Sequence, residues 1–185
     1  AGRDSATATA SGSVGGLIGI NSTVTLAENS STVSGLLDVG TVLAVSGAVA
    51  VSATSNTRQT STASSASIGL VAAGATVASA SSATVTSARV VSLGALNAGS
   101  MTVTASGVDD NFAKGISGSG GLVSGTAASA STSMGGSTRA ELGTGVAIDL
   151  TKNSDSTGLF YLAADHVGTM NGQIITDSYG ALAGA

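Results

Sequence analysis

The sequence predicts an all-β chain, a parallel β-solenoid (β-helix) built from repeats of about 52 residues, each expected to make two coils. Three observations predict it. A short phrase returns at a fixed interval, small residues alternate with a period of two, and proline is absent from all 185 residues. The phrase is Gly15-Gly16-Leu17-Ile18-Gly19-Ile20. It returns as Ile68-Gly69-Leu70-Val71-Ala72-Ala73 and as Gly120-Gly121-Leu122-Val123-Ser124-Gly125, with an echo at Tyr179-Gly180-Ala181-Leu182. The Gly-Leu steps at Gly16, Gly69 and Gly121 are 53 and 52 residues apart.

A second phrase keeps the same phase. Gly47-Ala48-Val49-Ala50-Val51 matches Gly99-Ser100-Met101-Thr102-Val103 at a spacing of 52, and Gly158-Leu159-Phe160-Tyr161-Leu162 at a further 59. The seven extra residues have an evident home in Thr151-Lys152-Asn153-Ser154-Asp155-Ser156-Thr157, a polar stretch that reads as an inserted surface loop. The chain is therefore one continuous segment, 1–185, with approximate repeats 1–53, 54–105 and 106–164 and a partial repeat 165–185. It opens and closes inside the repeat, which points to a longer polypeptide or fibre. Gly16, Leu17, Gly69, Leu70, Gly121 and Leu122 mark the repeat, as do Val51, Val103 and Leu162.

Each element follows from local pattern. Ser5–Ala10 alternates small groups in the manner of a strand, as do Ser22–Leu26, Ala83–Thr86 and Val146–Leu150. Asn97-Ala98-Gly99, Val108-Asp109-Asp110-Asn111 and Asn171-Gly172 carry turn chemistry. Strands of about 5–6 residues would then number six to a repeat. Ser67–Ala80 is the one stretch that could be drawn as a small-residue helix, but Val, Thr and Ser form helices poorly and no 3.6-residue period is sustained. Stacked strands need every backbone N–H for the ladder, and proline supplies none. A narrow core of stacked Val, Ala, Ser and Thr leaves no room for rings, in keeping with 2% aromatic residues.

Composition excludes several classes. Disordered chains pair few large apolar residues with high net charge, whereas here Leu, Ile, Val and Phe make up 41 of 185 residues and net charge is −4. The longest nearly apolar run, Val42–Val51, is far short of the ~20 residues of a spanning helix. Two Tyr and two Phe cannot build the aromatic girdles of a spanning barrel. Six scattered Lys and Arg residues form no nucleic-acid patch. Without Cys there are no disulfides or thiolate metal sites.

The residues also resemble a known family. Gly-Gly-Leu-Val, then Thr138-Arg139-Ala140-Glu141-Leu142-Gly143-Thr144-Gly145-Val146, then the alternating second phrase, are similar to the repeats of leukotoxin-family, filamentous haemagglutinin-like bacterial exoprotein adhesins. The box is reduced to Ser87-Ala88-Arg89-Val90-Val91 in the second repeat and to Leu37-Asp38-Val39-Gly40 in the first. The resemblance implies a secreted, cell-surface β-solenoid used in adhesion or matrix formation, and it carries over no ligand-binding residue.

No catalytic, cofactor or metal site is expected. His166, the only histidine, reads as a surface residue beside Asp165; no Gly-x-Ser-x-Gly elbow accompanies it. Asp109 and Asp110 in one turn, and Asp149 and Asp155 in another, offer oxygen ligands of the kind calcium takes, but neither matches a calcium loop and a solvated turn is the plain reading. Gly118-Ser119-Gly120-Gly121 lacks the Lys-Ser/Thr of a phosphate loop. Thr-x-Thr pairs at 7/9, 23/25, 84/86 and 102/104 read as outward β-formers. Asn21-Ser22-Thr23 and Asn29-Ser30-Ser31 are N-glycan acceptor triplets that a Ser-rich chain produces by chance. The function expected is a structural or adhesive segment that self-associates end to end or laterally, with Lys152–Thr157, Phe160 and Tyr161 as its most distinctive outward features. Carbohydrate binding, and a polysaccharide-degrading β-helix enzyme using Asp109 or Asp149, are the alternatives; no membrane span and no nucleic acid are expected.

Overall fold

A computed structural model describes residues 3–38, 40, 42–91, 94–150 and 158–185. Among them the chain is all-β, with parallel sheets and no helix. Four strands are long: β1 (Asp4–Asn29), β4 (Ala48–Ser82), β7 (Ser100–Gly120) and β11 (Leu159–Tyr179). Between them lie β2 (Thr32–Asp38), β3 (Leu43–Ala44), β5 (Val85–Val91), β6 (Ala95–Asn97), β8 (Val123–Met134), β9 (Ser137–Leu142) and β10 (Ala147–Asp149), with β12 (Leu182–Gly184) last.

Register shows how the repeat is used. β1 lies on β4 with Asp4 opposite Thr57, an offset of 53. β4 lies on β7 and β8 with Val51 opposite Val103, an offset of 52. β7 and β8 lie on β11 and β12 with Val103 opposite Leu162, an offset of 59. The short strands follow suit in two further sheets, β2-β5-β9 and β3-β6-β10. Every pairing is parallel and links a residue to its counterpart one whole repeat later. Two coils per repeat would require pairings at about half that offset, so the expectation is corrected to one layer per repeat. Four layers at about 4.8 Å replace the seven or so that two coils would have made.

The reason is strand length. β4 runs 35 residues and does not end where Gly or Asn suggests a turn. It bends at Gly69-Leu70 and returns, so its two halves form facing walls. Ser67 Oγ reaches Ala73 O at 2.7 Å, and Thr25 Oγ1 meets Ser61 Oγ at 2.7 Å across the gap. Val108–Asn111 and Asn171-Gly172, read as turns, lie inside β7 and β11. Extended backbone in a ladder satisfies their N–H and C=O groups as well as a turn would, and side chains alternate in and out regardless of type. Ser67–Ala80 is strand throughout.

Each complete layer thus has a broad body and a narrow two-walled arm. The body is packed with Val51, Val90, Leu96, Met101 and Val103 and their neighbours. The arm is packed with Ala63, Ala78, Ala80 and Ala113, small enough for two sheets to approach closely. Strict alternation of burial along all of β7 shows that one face of the strand is interior over its whole length. The seven-residue jump in register falls between Asp149, still at offset 52, and Leu159, at 59. The inserted loop expected at 151–157 lies outside the described residues.

Candidate functional site

Between the apolar body and the alanine arm runs a belt of buried polar side chains, contributed by the inward faces of β4, β5, β7, β9 and β11. Ser55 Oγ and Thr86 Oγ1 share a hydrogen bond at 2.6 Å. The Asn111 amide donates to Ser82 Oγ at 3.0 Å and to Ser133 O at 2.6 Å. Asp109 is at its centre, 1% exposed. Its Oδ1 accepts a hydrogen bond from the Thr57 hydroxyl, the residue directly below it in register. Its Oδ2 has no hydrogen-bond partner, but His166 Nε2 is 3.5 Å away. The other ring nitrogen, Nδ1, is 2.9 Å from Thr138 Oγ1.

Two adjacent layers therefore align a hydroxyl, an imidazole and a carboxylate. The placement depends on a missing side chain. His166 stands over Gly107 in register, and a Cβ on Gly107 would lie 2.6 Å from Thr138 Oγ1 and 2.8 Å from His166 Nδ1. A carboxylate withdrawn from water is costly unless a countercharge or several donors face it. His166, when protonated, is the one cation the described residues bring to Asp109. The ring thus has one hydrogen-bonded neighbour, Thr138, and a carboxylate facing its other nitrogen just outside hydrogen-bond contact. Gln59, Thr84 and Asn111 add further buried polar atoms without hydrogen-bond partners to the same belt.

His166 remains exposed at the surface, as expected, but it lies within strand β11 and not in a turn; its position is on the row that stacks over Gly107. Its expected neighbour Asp165 faces the opposite way on β11, since successive strand residues alternate. The same alternation separates the first calcium pair: Asp109 is interior, while Asp110 pairs on the surface with Arg58 at 3.5 Å. Asp149 ends β10, and Asp155 lies outside the described residues. No group of three His, Cys, Asp or Glu is assembled among the described residues. Thr23, Thr25, Thr84 and Thr86 are buried, so those two Thr-x-Thr pairs line the interior and do not face outward. Phe160 stacks over Met101 on the interior row and Tyr161 on the outward row, 41% and 51% exposed. What would have revealed the belt is the position of Asp109 and Asn111 on the same strand face as Met101 and Val103.

The repeat markers divide into two sets. Val51, Val103 and Leu162 form an interior column. Gly16, Gly69 and Gly121 sit where the arm folds back, and their partners Leu17, Leu70 and Leu122 stand in solvent at 74%, 51% and 55% exposure. Ile18, Val71, Val123 and Leu182 form a second exposed column beside them. The arm tip is therefore an apolar edge present in every layer. Apolar side chains are also exposed along the end strand β11, among them Val167, Met170 and Ile174, while on the β5–β9 face Arg89 and Arg139 both reach Glu141 at 2.9 and 3.7 Å. A groove of about 350 Å³ opens between them, lined by Ser87 and Ser137.

Compared with family models, with curated proteins and with solved structures, the chain matches none. Among the described residues no helix is long and apolar enough to cross a membrane.

Proposed function

We propose that the chain is a β-solenoid segment with one coil per repeat, and that its work is mechanical. In this reading it holds regular outward faces along a stiff, backbone-bonded rod and extends that rod by self-association. The observation that carries the reading is the pairing of every strand with its own counterpart one repeat on, in parallel and in register. Repetition of that kind is quasi-one-dimensional: each layer is a template for the next. β1 and β11 are each paired on one side only among the described residues, and an unpaired strand edge accepts another strand. The resemblance to filamentous haemagglutinin-like adhesins supports placing such a rod outside a bacterial cell, as a structural or adhesive element. The regular apolar arm tip supports association more than glycan binding, because carbohydrate sites favour aromatic platforms and the chain has four aromatic residues.

Electron micrographs and fibre diffraction of concentrated protein test this. Thin uniform fibres with an axial spacing near 4.8 Å are expected; discrete particles without that reflection would refute it.

One observation favours a second reading. The Thr138–His166–Asp109 alignment has the order of a nucleophile, a base and an orienting acid. An electrophilic hydroxyl-directed probe that labelled Thr138, with labelling lost in His166→Ala, would establish it. An unlabelled Thr138 leaves the cluster as internal support for Asp109.

A further inference from the structure

The arm tip carries a ridge and a groove side by side. Outward-facing residues on the returning wall stack in columns. Ile18, Val71, Val123 and Leu182 make one column of bulky residues. Two residues further on, Ala73, Gly125 and Gly184 make the next, closed off in the first layer by Ile20, and Ser22, Ala75 and Ala127 make the one after. Val24 and Val77 then restore bulk in the first two layers, with Ser129 above them in the third. Small columns between bulky ones leave an apolar groove of about 600 Å³ running across the layers, parallel to the ridge. The segments 14–24, 67–77, 119–129 and 178–185 contain no charged residue.

We infer that this face is the lateral contact between two copies of the chain, each laying its ridge in the other's groove about a two-fold axis. The inference rests on the reading of the chain as a stack of repeats. Ridge and groove on one surface are self-complementary under a two-fold rotation, the isologous arrangement of most dimers. The ridge recurs in every layer and the small column beside it in the second to fourth, so the partner must carry the same spacing, and a second copy does. An anionic lipid surface would call for basic residues, and the strip has none. A glycan would call for aromatic rings, and Tyr179 is the only one.

Size sets the strength. Four layers at about 4.8 Å by seven residues at about 3.3 Å give on the order of 400–450 Å² per copy. That is about half the ~800 Å² per partner of a stable complex. Association of the isolated chain is therefore weak, and it tightens with every layer added by end stacking.

The chain has no cysteine, so single introduced thiols report contacts cleanly. Val71→Cys protein mixed with Ala75→Cys protein, at high concentration under mild oxidant, is expected to give disulfide-linked dimers. A Ser137→Cys pair on another face is the control and should lag at least tenfold. Ser5→Cys mixed with Thr169→Cys, on the free edges of β1 and β11, reports end stacking separately. Sedimentation of the cysteine-free chain should shift from its 17.3 kDa monomer mass toward twice that value. The double variant Val71→Ser/Val123→Ser, altered only at exposed positions, should stay monomeric with unchanged circular dichroism. End-stacked dimers without ridge–groove dimers would sink this inference and leave the rod standing; failure of both pairs would sink the self-association reading as well. Flotation of the chain with neutral phosphatidylcholine vesicles would also overturn it, by assigning the strip to lipid.

Discussion

Adjacent glycines in the repeat phrase should respond oppositely to the same substitution. A Cβ on Gly69 would stand 2.5 Å from Gly16 O and 3.1 Å from Val71 O, and one on Gly121 would press still closer on Gly69 O. Real Cβ atoms do not approach within 3.0 Å, so Gly69→Ala must move the Gly16 carbonyl by about 0.5 Å within a ladder spaced at ~4.8 Å. Neither side of the clash is a flexible side chain that could swing away. Overpacking of this kind costs about 1–3 kcal/mol, and a strained inter-layer hydrogen bond loses part of its ~1 kcal/mol. By contrast, a Cβ on Gly120 meets nothing within 4 Å, so Gly120→Ala should be neutral or slightly stabilising through the unfolded chain. At roughly 2–4 °C per kcal/mol for a chain of this size, Gly69→Ala and Gly121→Ala should each lower the unfolding midpoint by about 2–12 °C, while Gly120→Ala shifts it by less than about 2 °C. Thermal melts followed by circular dichroism measure all three. Equal midpoints for Gly120→Ala and Gly121→Ala would refute the close stacking of the arm tips.

The polar belt makes its own prediction. His166→Ala removes the imidazole 3.5 Å from the Asp109 carboxylate and its hydrogen bond with Thr138 and should cost about 0.5–1.5 kcal/mol, whereas His166→Ala/Asp109→Asn should recover part of that loss. A double-mutant cycle in urea giving a coupling below about 0.5 kcal/mol would show the two residues to be independent. Leu96→Ala, at the largest fully buried side chain of the body, should destabilise by about 2–5 kcal/mol, seen as a lower urea midpoint at unchanged slope. Arg89→Ala removes a surface pair to Glu141 and should cost no more than about 1 kcal/mol; that difference should shrink in 1 M salt as the pair is screened.

Much of the fold is legible in the residues because the repeat is a distance in sequence that becomes a hydrogen-bond partner in space. The 53- and 52-residue spacings of Gly16, Gly69 and Gly121 are the register offsets of β1 on β4 and of β4 on β8. The jump to 59 read from Gly158-Leu159 is that of β11 on β7. Absence of proline and small alternating side chains are enough to place the chain in parallel ladders. The number of layers per repeat was not legible. Glycine and asparagine promise turns only where the ladder leaves their backbone groups unpaired, and here the ladder runs through Asp109-Asp110-Asn111 and Asn171-Gly172.

Which side of a strand a residue faces decides its chemistry, and one misplaced turn reverses it. Treated as a loop, Asp109 and Asp110 form one acidic cluster; as neighbours in β7, one is sealed in the core and the other pairs with Arg58. His166 met Asp109 and Thr138 only through stacking, since the three lie 29, 28 and 57 positions apart and no local motif joins them. The sequence by itself determined the period, the β character and the absence of charge along the Gly-Leu phrase. Tertiary structure alone decided that the phrase bends the arm back on itself and turns its apolar side chains outward. The physical reason is that glycine carbonyls stack too closely there for any side chain to fit between layers, which leaves the neighbouring Leu and Val only the solvent side.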